Sequence, residues 1–271
     1  QLAVLSDGGR ECGVCVCGDG GLMTVPDQSR DIPVQRHTIF QSSLMTALLD
    51  GIYDGELTIG ELLGHGNFGI GTFDALDGEM IIVDGVCYQV RGDGSATVAD
   101  LEQHSPFAVA TNFVPRIVRE APPGMCRKEL SEFISGILPS ENYMYAVRIT
   151  GMFESVRVRT VTKQQRPYRP MLEATDDDAE LVFSHTAGII AGFRTPIYEK
   201  GIGIPGCHVH FIDNARTHGG HVLDFTLSSG LIEVCPGTDL QLRLPLNHEF
   251  STAQLAPEDL DQQIHATEVK E

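Results

Sequence analysis

The sequence predicts an α+β fold of mixed, mainly antiparallel β-sheets with a few helices, arranged as two lobes. Two observations carry that expectation. Much of the chain alternates apolar and polar residues, and Asp77-Gly78, Asp84-Gly85 and Asp93-Gly94 punctuate it; this reads as successive strands joined by tight turns. One segment instead has helical spacing: Leu130, Phe133, Ile134, Ile137 and Leu138 fall on one face, giving an amphipathic helix over 126–138 that Pro139 stops.

The elements follow in chain order. Residues 1–33 are rich in Gly, Asp and Cys without periodicity and read as an N-terminal arm. Residues 34–170 form a first lobe, and 171–271 a β-rich second lobe. Thr58-Ile-Gly-Glu61 is a capping box opening a short helix that ends around Gly64 and Gly66. Strands follow at Gly69–Asp74, Met80–Val83 and Val86–Val90, with Asp84-Gly85 as a hairpin turn between the last two. Tyr145 to Val161 alternates like a strand or bent hairpin, with a bend expected at Gly151. A Pro- and acid-rich segment over 165–180 reads as a solvated loop dividing the lobes. Residues 181–246 are almost wholly strand-like, with turns at Asn214 and Pro236-Gly237, and the tail from Pro257 to about Glu268 starts as a helix. Gly64-His-Gly-Asn-Phe-Gly69 matches a dinucleotide fingerprint by letter, but it closes a helix and opens a strand, the reverse of what that motif needs.

Bulk properties bound the function. The net charge of −18, from 37 acids against 19 bases, argues against nucleic acid and anionic membranes as partners. A small anionic substrate needs only one or two arginines and stays open. No apolar run has the length of a membrane-spanning helix. Cys12, Cys15 and Cys17 crowd into the arm, and together with a start at Gln1 they favour an extracellular location over a cytoplasmic one. The chain's seven cysteines could form a disulfide or two and leave an odd thiol, while Cys12, Cys15 and Cys17 also read as a second metal site.

His208, His210 and His221 carry most of the chemical information. On a strand, His208 and His210 point to one face. The chain turns over Asp213 to Gly220 and returns through His221, which then offers a third imidazole. Three imidazoles with an open fourth position make a catalytic zinc site, although iron, copper, nickel or manganese also accept such ligands. His218 is a candidate fourth ligand, but sits in the turn itself. The blander reading is a surface pair, or a hydrogen-bonded polar element of the core. Glu79 lies between a tight turn and an apolar strand, where a carboxyl is either partly desolvated or simply a solvated turn residue. Arg157 and Arg159 share one face of a strand, suited to holding a substrate carboxylate or to pairing with the acidic surface.

His208-Val-His210 followed by Arg216-Thr-His-Gly-Gly-His221-Val-Leu-Asp resembles the metal segment of the acetolactate decarboxylase family. Tyr53-Asp-Gly-Glu-Leu-Thr-Ile-Gly-Glu-Leu-Leu, Gly69-Ile-Gly-Thr-Phe-Asp-Ala-Leu-Asp-Gly-Glu79-Met and Arg157-Val-Arg159-Thr-Val are similar to that family too, in the same order. The resemblance runs from about His37 to the C-terminus and leaves the cysteine-rich arm without a counterpart. It implies one Zn2+ per chain held by His208, His210 and His221, Glu79 beside the metal, and Arg159 engaging the substrate. It further implies a homodimer and a C-terminal glutamate reaching into the site, which Glu268 matches best and Glu271 second. The implied reaction is decarboxylation of 2-acetolactate to acetoin through a metal-stabilised enediolate protonated by Glu79 or Glu268. Two alternatives remain at this stage: a zinc hydrolase or hydratase using a metal-bound water, and a metal-binding module without catalysis. Cys207, facing away from the histidines on a regular strand, is expected to be an inert buried thiol.

Overall fold

Val83 pairs with Val86, while Asp84 and Gly85 between them both take positive φ, 53° and 79°, as a two-residue hairpin turn demands. The structure, a computed structural model, describes residues 36–175 and 179–269, the side chains through Thr267, and two short paired strands at Cys15–Val16 and Leu22–Met23. Expectations for the side chains of Cys12, Cys15, Cys17, Glu268 and Glu271 therefore lie outside the described residues.

The first sheet has seven strands: β1 (Thr38–Ser42), β2 (Phe68–Thr72), β3 (Glu79–Val83), β4 (Val86–Val90), β5 (Ala96–Val98), β6 (Ala108–Thr111) and a strand from near the C-terminus, Asp239–Arg243. The second contains β7 (Ile117–Ala121), β8 (Met144–Thr160), β9 (Ala179–Thr195), β10 (Gly206–Asp213) and β11 (Gly219–Gly237); Asp239–Arg243 is then β12. The spatial order is β12-β1-β6-β2-β3-β4-β5 in the first and β7-β11-β8-β9-β10 in the second. Pairing between these strands is antiparallel except for β12 with β1. The fold is thus the α+β class with mainly antiparallel sheets.

β10 also pairs directly with β11, so β11, β8, β9 and β10 form a closed circuit. Sharp coiling makes that closure possible, and glycine supplies it. Gly188, Gly151 and Gly230 lie side by side on β9, β8 and β11, and a Cβ on Gly151 would come within 2.3 Å of the Ser229 carbonyl oxygen. Gly151 is therefore a close-approach point inside one 17-residue strand, where a bend was expected. Pro236-Gly237 is likewise not a turn. β11 runs on through both, paired with Tyr145 and Met144, and Thr238 alone links it to β12.

The two sheets share a core: Ile39, Phe68, Ile70, Ile81 and Val83 pack with Ala146, Ile189, Phe193 and Ile212. The capping box at Thr58 and Glu61 forms, and the helix Ile59–Leu63 buries Ile59 and Leu62 against Phe40, Met80 and Ile82. The amphipathic helix runs over Arg127–Ile137, placing Leu130 and Ile134 on the other core of the second sheet, with Ile149, Phe225 and Ile232. Burying each such side chain is worth about 1.5–3 kcal/mol.

The expected division between lobes near 165–180 does not separate the sheets. β8, from before it, lies at the centre of the second sheet, and β12, from well after it, completes the first. Long strands take their backbone partners wherever the sheet offers them, at any sequence distance. Among the described residues no helix is long and apolar enough to cross a membrane.

Candidate metal centre

Strand register assembles the site. Arg159 on β8 lies directly opposite His221 on β11, and His221 lies directly opposite His210 on β10. Residues opposite each other share a face, so Arg159, His221 and His210 form one row across three strands. His208, two residues along β10, joins them by the pleat. Glu79 comes from the other sheet, as the first residue of β3.

The three ring nitrogens offered by His208, His210 and His221 lie within 4.8 Å of one another. His210 Nδ1 is 2.9 Å from the Met80 carbonyl oxygen. A carbonyl only accepts, so Nδ1 carries the proton and Nε2 presents its lone pair. That Nε2 lies 3.2 Å from His208 Nε2 and 3.5 Å from Glu79 Oε2. Two nitrogens each about 2.0–2.1 Å from one tetrahedral ion stand about 3.3 Å apart, so the pair fits a shared zinc-sized ion.

Burial keeps the donors in ligand form. His210 is 1% exposed, His221 and Arg159 2%, and Glu79 6%, while His208 is partly exposed. Desolvation, with the Arg159 charge adding to it, pushes His210 down to about 4, against the opposing hydrogen bond to Met80. Burial likewise holds His208 and His221 well below the usual histidine range, reinforced by His210 and Arg159 for the first and by Arg159 for the second. All three are neutral at pH 7.

A stability effect follows. Between pH 6.5 and about 4 the unfolded chain protonates the imidazole of His210 while the fold does not, so folding becomes less favourable as pH falls through that window. For His210 alone the loss reaches about 3 kcal/mol. Calorimetry of chelator-treated protein is expected to show Tm falling between pH 6.5 and 4, with a shallower fall in His210→Phe.

The site lines a pocket together with Met45, Leu48, Phe107 and Val161. The family model described as alpha-acetolactate decarboxylase matches residues 39–257. The chain belongs to the alpha-acetolactate decarboxylase family. It is 42% identical over 239 residues to the alpha-acetolactate decarboxylase of Bacillus subtilis, covering 88% of this chain and 93% of the relative. To that of Klebsiella aerogenes it is 43% identical, covering 85% and 88%. The crystal structure of the B. subtilis protein superposes with a TM-score of 0.84 at 42% identity, over 86% of this chain and all of that one (100%).

Within this decarboxylase-family fold, the structure brings together His208, His210, His221, Glu79 and Arg159. Arg157 diverges from Arg159: it is partly exposed and pairs with Glu180 at 3.2 Å. His218 stays outside the trio, half exposed, 3.5 Å from Asp213. Cys207 packs against the core on the other side of β10, and burial pushes its thiol up. Sequence reading missed Glu199, whose carboxyl burial pushes up to about 7 and which lines an apolar cavity adjoining the site through Phe107 and His208. In Tyr198-Glu199-Lys200 it looks like an ordinary polar turn, and no local signal marks it.

Proposed function

We propose that this chain carries out zinc-dependent decarboxylation of 2-acetolactate to acetoin, with His208, His210 and His221 holding the ion. Membership of the family makes the chain a carboxy-lyase of the acetolactate decarboxylase type. The observation that carries the finer reading is one pocket in which three neutral imidazoles converge beside a buried carboxyl and a buried guanidinium. When bound, the ion would act as a Lewis acid toward negative charge developing on the substrate's ketone oxygen.

The chain's own residues have separable tasks. The Met80 carbonyl and the strand row fix the orientation of the imidazoles. Arg159 offers a cation to the substrate carboxylate and orients the bond to be cleaved. Apolar neighbours such as Leu48, Phe107 and Val161 keep water away, strengthening each charge interaction. Loss of carbon dioxide leaves an electron pair conjugated with the ketone, and a carboxyl on one face supplies the proton. We assign that proton to Glu79, with Glu268 the second candidate. Protonation from a single face yields one acetoin enantiomer. We further propose that the chain forms a homodimer, which light scattering would read directly.

The test follows acetoin and carbon dioxide from racemic 2-acetolactate with native, chelator-stripped and zinc-restored protein. Activity is expected to fall at least about 100-fold on stripping and to return with zinc, giving enantiopure acetoin. Folded, zinc-loaded protein that releases no acetoin would move the reading to a hydrolase.

A further inference from the structure

We infer that Arg127 is a positioning residue for the metal centre, setting the distance between the strands that carry His208 and His221. This rests on the reading that those histidines hold an ion. β10 and β11 pair directly only at His210-His221, Phe211-Gly220 and Ile212-Gly219. Beyond His210 this ladder pairing stops, while the rings of His208 and His221 stay 4.9 Å apart between centroids. The register of β11 against β8 also slips here: Arg157 lies opposite Asp224 and Val158 opposite Val222, leaving Leu223 as an extra residue.

A bulge re-aims backbone carbonyls out of the ladder and leaves them in need of donors. Arg127 supplies these donors. Its Nη1 donates to the carbonyls of Val222 and Leu223 at 3.0 and 2.8 Å, and its Nη2 donates to the carbonyl of Cys207 at 3.0 Å. Cys207 precedes His208, and Val222 follows His221. One planar guanidinium therefore ties together the two strands next to two of the three ligands, where the sheet itself no longer does. A rigid fork suits this task, because it fixes the angle between its acceptors as well as their distances.

The placement has no better explanation in the helix. Arg127 is the first residue of the Arg127–Ile137 helix, where the helix dipole disfavours a cation. Glu129 already serves that end by accepting from the Cys126 amide at 3.0 Å.

The experiment measures zinc affinity by chelator competition, and the visible spectrum of the cobalt(II)-substituted protein, for the parent, Arg127→Met, Arg127→Lys, His221→Ala and Ile134→Ala. Arg127→Met is expected to bind zinc about 10–100-fold more weakly and to show an altered cobalt spectrum, with Arg127→Lys intermediate. Ile134→Ala, which loosens the same helix, should lower Tm yet keep the parent spectrum, so a general loss of packing is told apart. If Arg127→Met does not fold, Arg127→Lys decides: weaker zinc binding supports the role and parental affinity overturns it. A parent that binds zinc no tighter than His221→Ala overturns the metal reading and this inference together. Tight binding by the parent with Arg127→Met within twofold of it overturns the role of Arg127 alone.

Discussion

Replacing His210 by alanine is expected to lower acetoin formation by at least about 10³-fold while the protein stays folded and binds zinc substoichiometrically. Three losses converge at this residue. Its Nε2 lies 3.2 Å from that of His208, its Nδ1 donates to the Met80 carbonyl, and its ring fills space that is only 1% exposed. Losing that hydrogen bond costs about 0.5–1.5 kcal/mol of stability besides. His218→Ala is the matched control. That imidazole is half exposed in the turn, so the change should leave activity within about twofold, as surface substitutions away from such features do. Bound zinc and acetoin, measured on the same preparations, decide the matter. His210→Ala with full zinc content and parental turnover would remove the triad from the mechanism.

Glu79→Gln should keep the fold and lower kcat by about 10²–10⁴, the range for losing a positioned proton donor. The substitution preserves shape and removes only the transferable proton and the charge, so zinc content should change less than in His210→Ala. If Glu79 delivers the proton from one face, residual product from Glu79→Gln should also lose enantiomeric purity as solvent takes over. Chiral chromatography of the acetoin checks this. Parental kcat with racemic product would show that Glu79 steers the proton without supplying it. Parental kcat with enantiopure product would pass the role to another carboxyl, with Glu268 next and the buried Glu199 after it.

Much of the site was legible because its signals are local. The spacing of His208 and His210 places two imidazoles on one face of any regular strand, and the turn that follows returns His221 beside them. Glu79 stood out through a tight turn on one side and an apolar strand on the other. Arg127 and Glu199 left no comparable trace. One was hidden as the opening residue of a helix and the other as a polar turn, and each acquires its meaning only from what packs against it. The Pro- and acid-rich loop is a related case: it marks a surface crossing, and here it joins two neighbouring strands of one sheet.

By itself, the sequence determined the class of fold, the capping box at Thr58, the hairpin at Asp84-Gly85, the extent of the 127–137 helix and the pairing of His208 with His210 on one face. These depend on backbone conformation and periodicity, which act over a few residues. Tertiary structure alone decided that Arg159 stands beside His221, that Glu79 arrives from the other sheet, that β12 joins β1, and that Arg127 bridges the strands where their ladder ends. Those outcomes depend on strand register and sheet packing between segments far apart in the chain. A shift of one residue in either would turn every side chain to the opposite face, and no local pattern encodes which register the whole core will select.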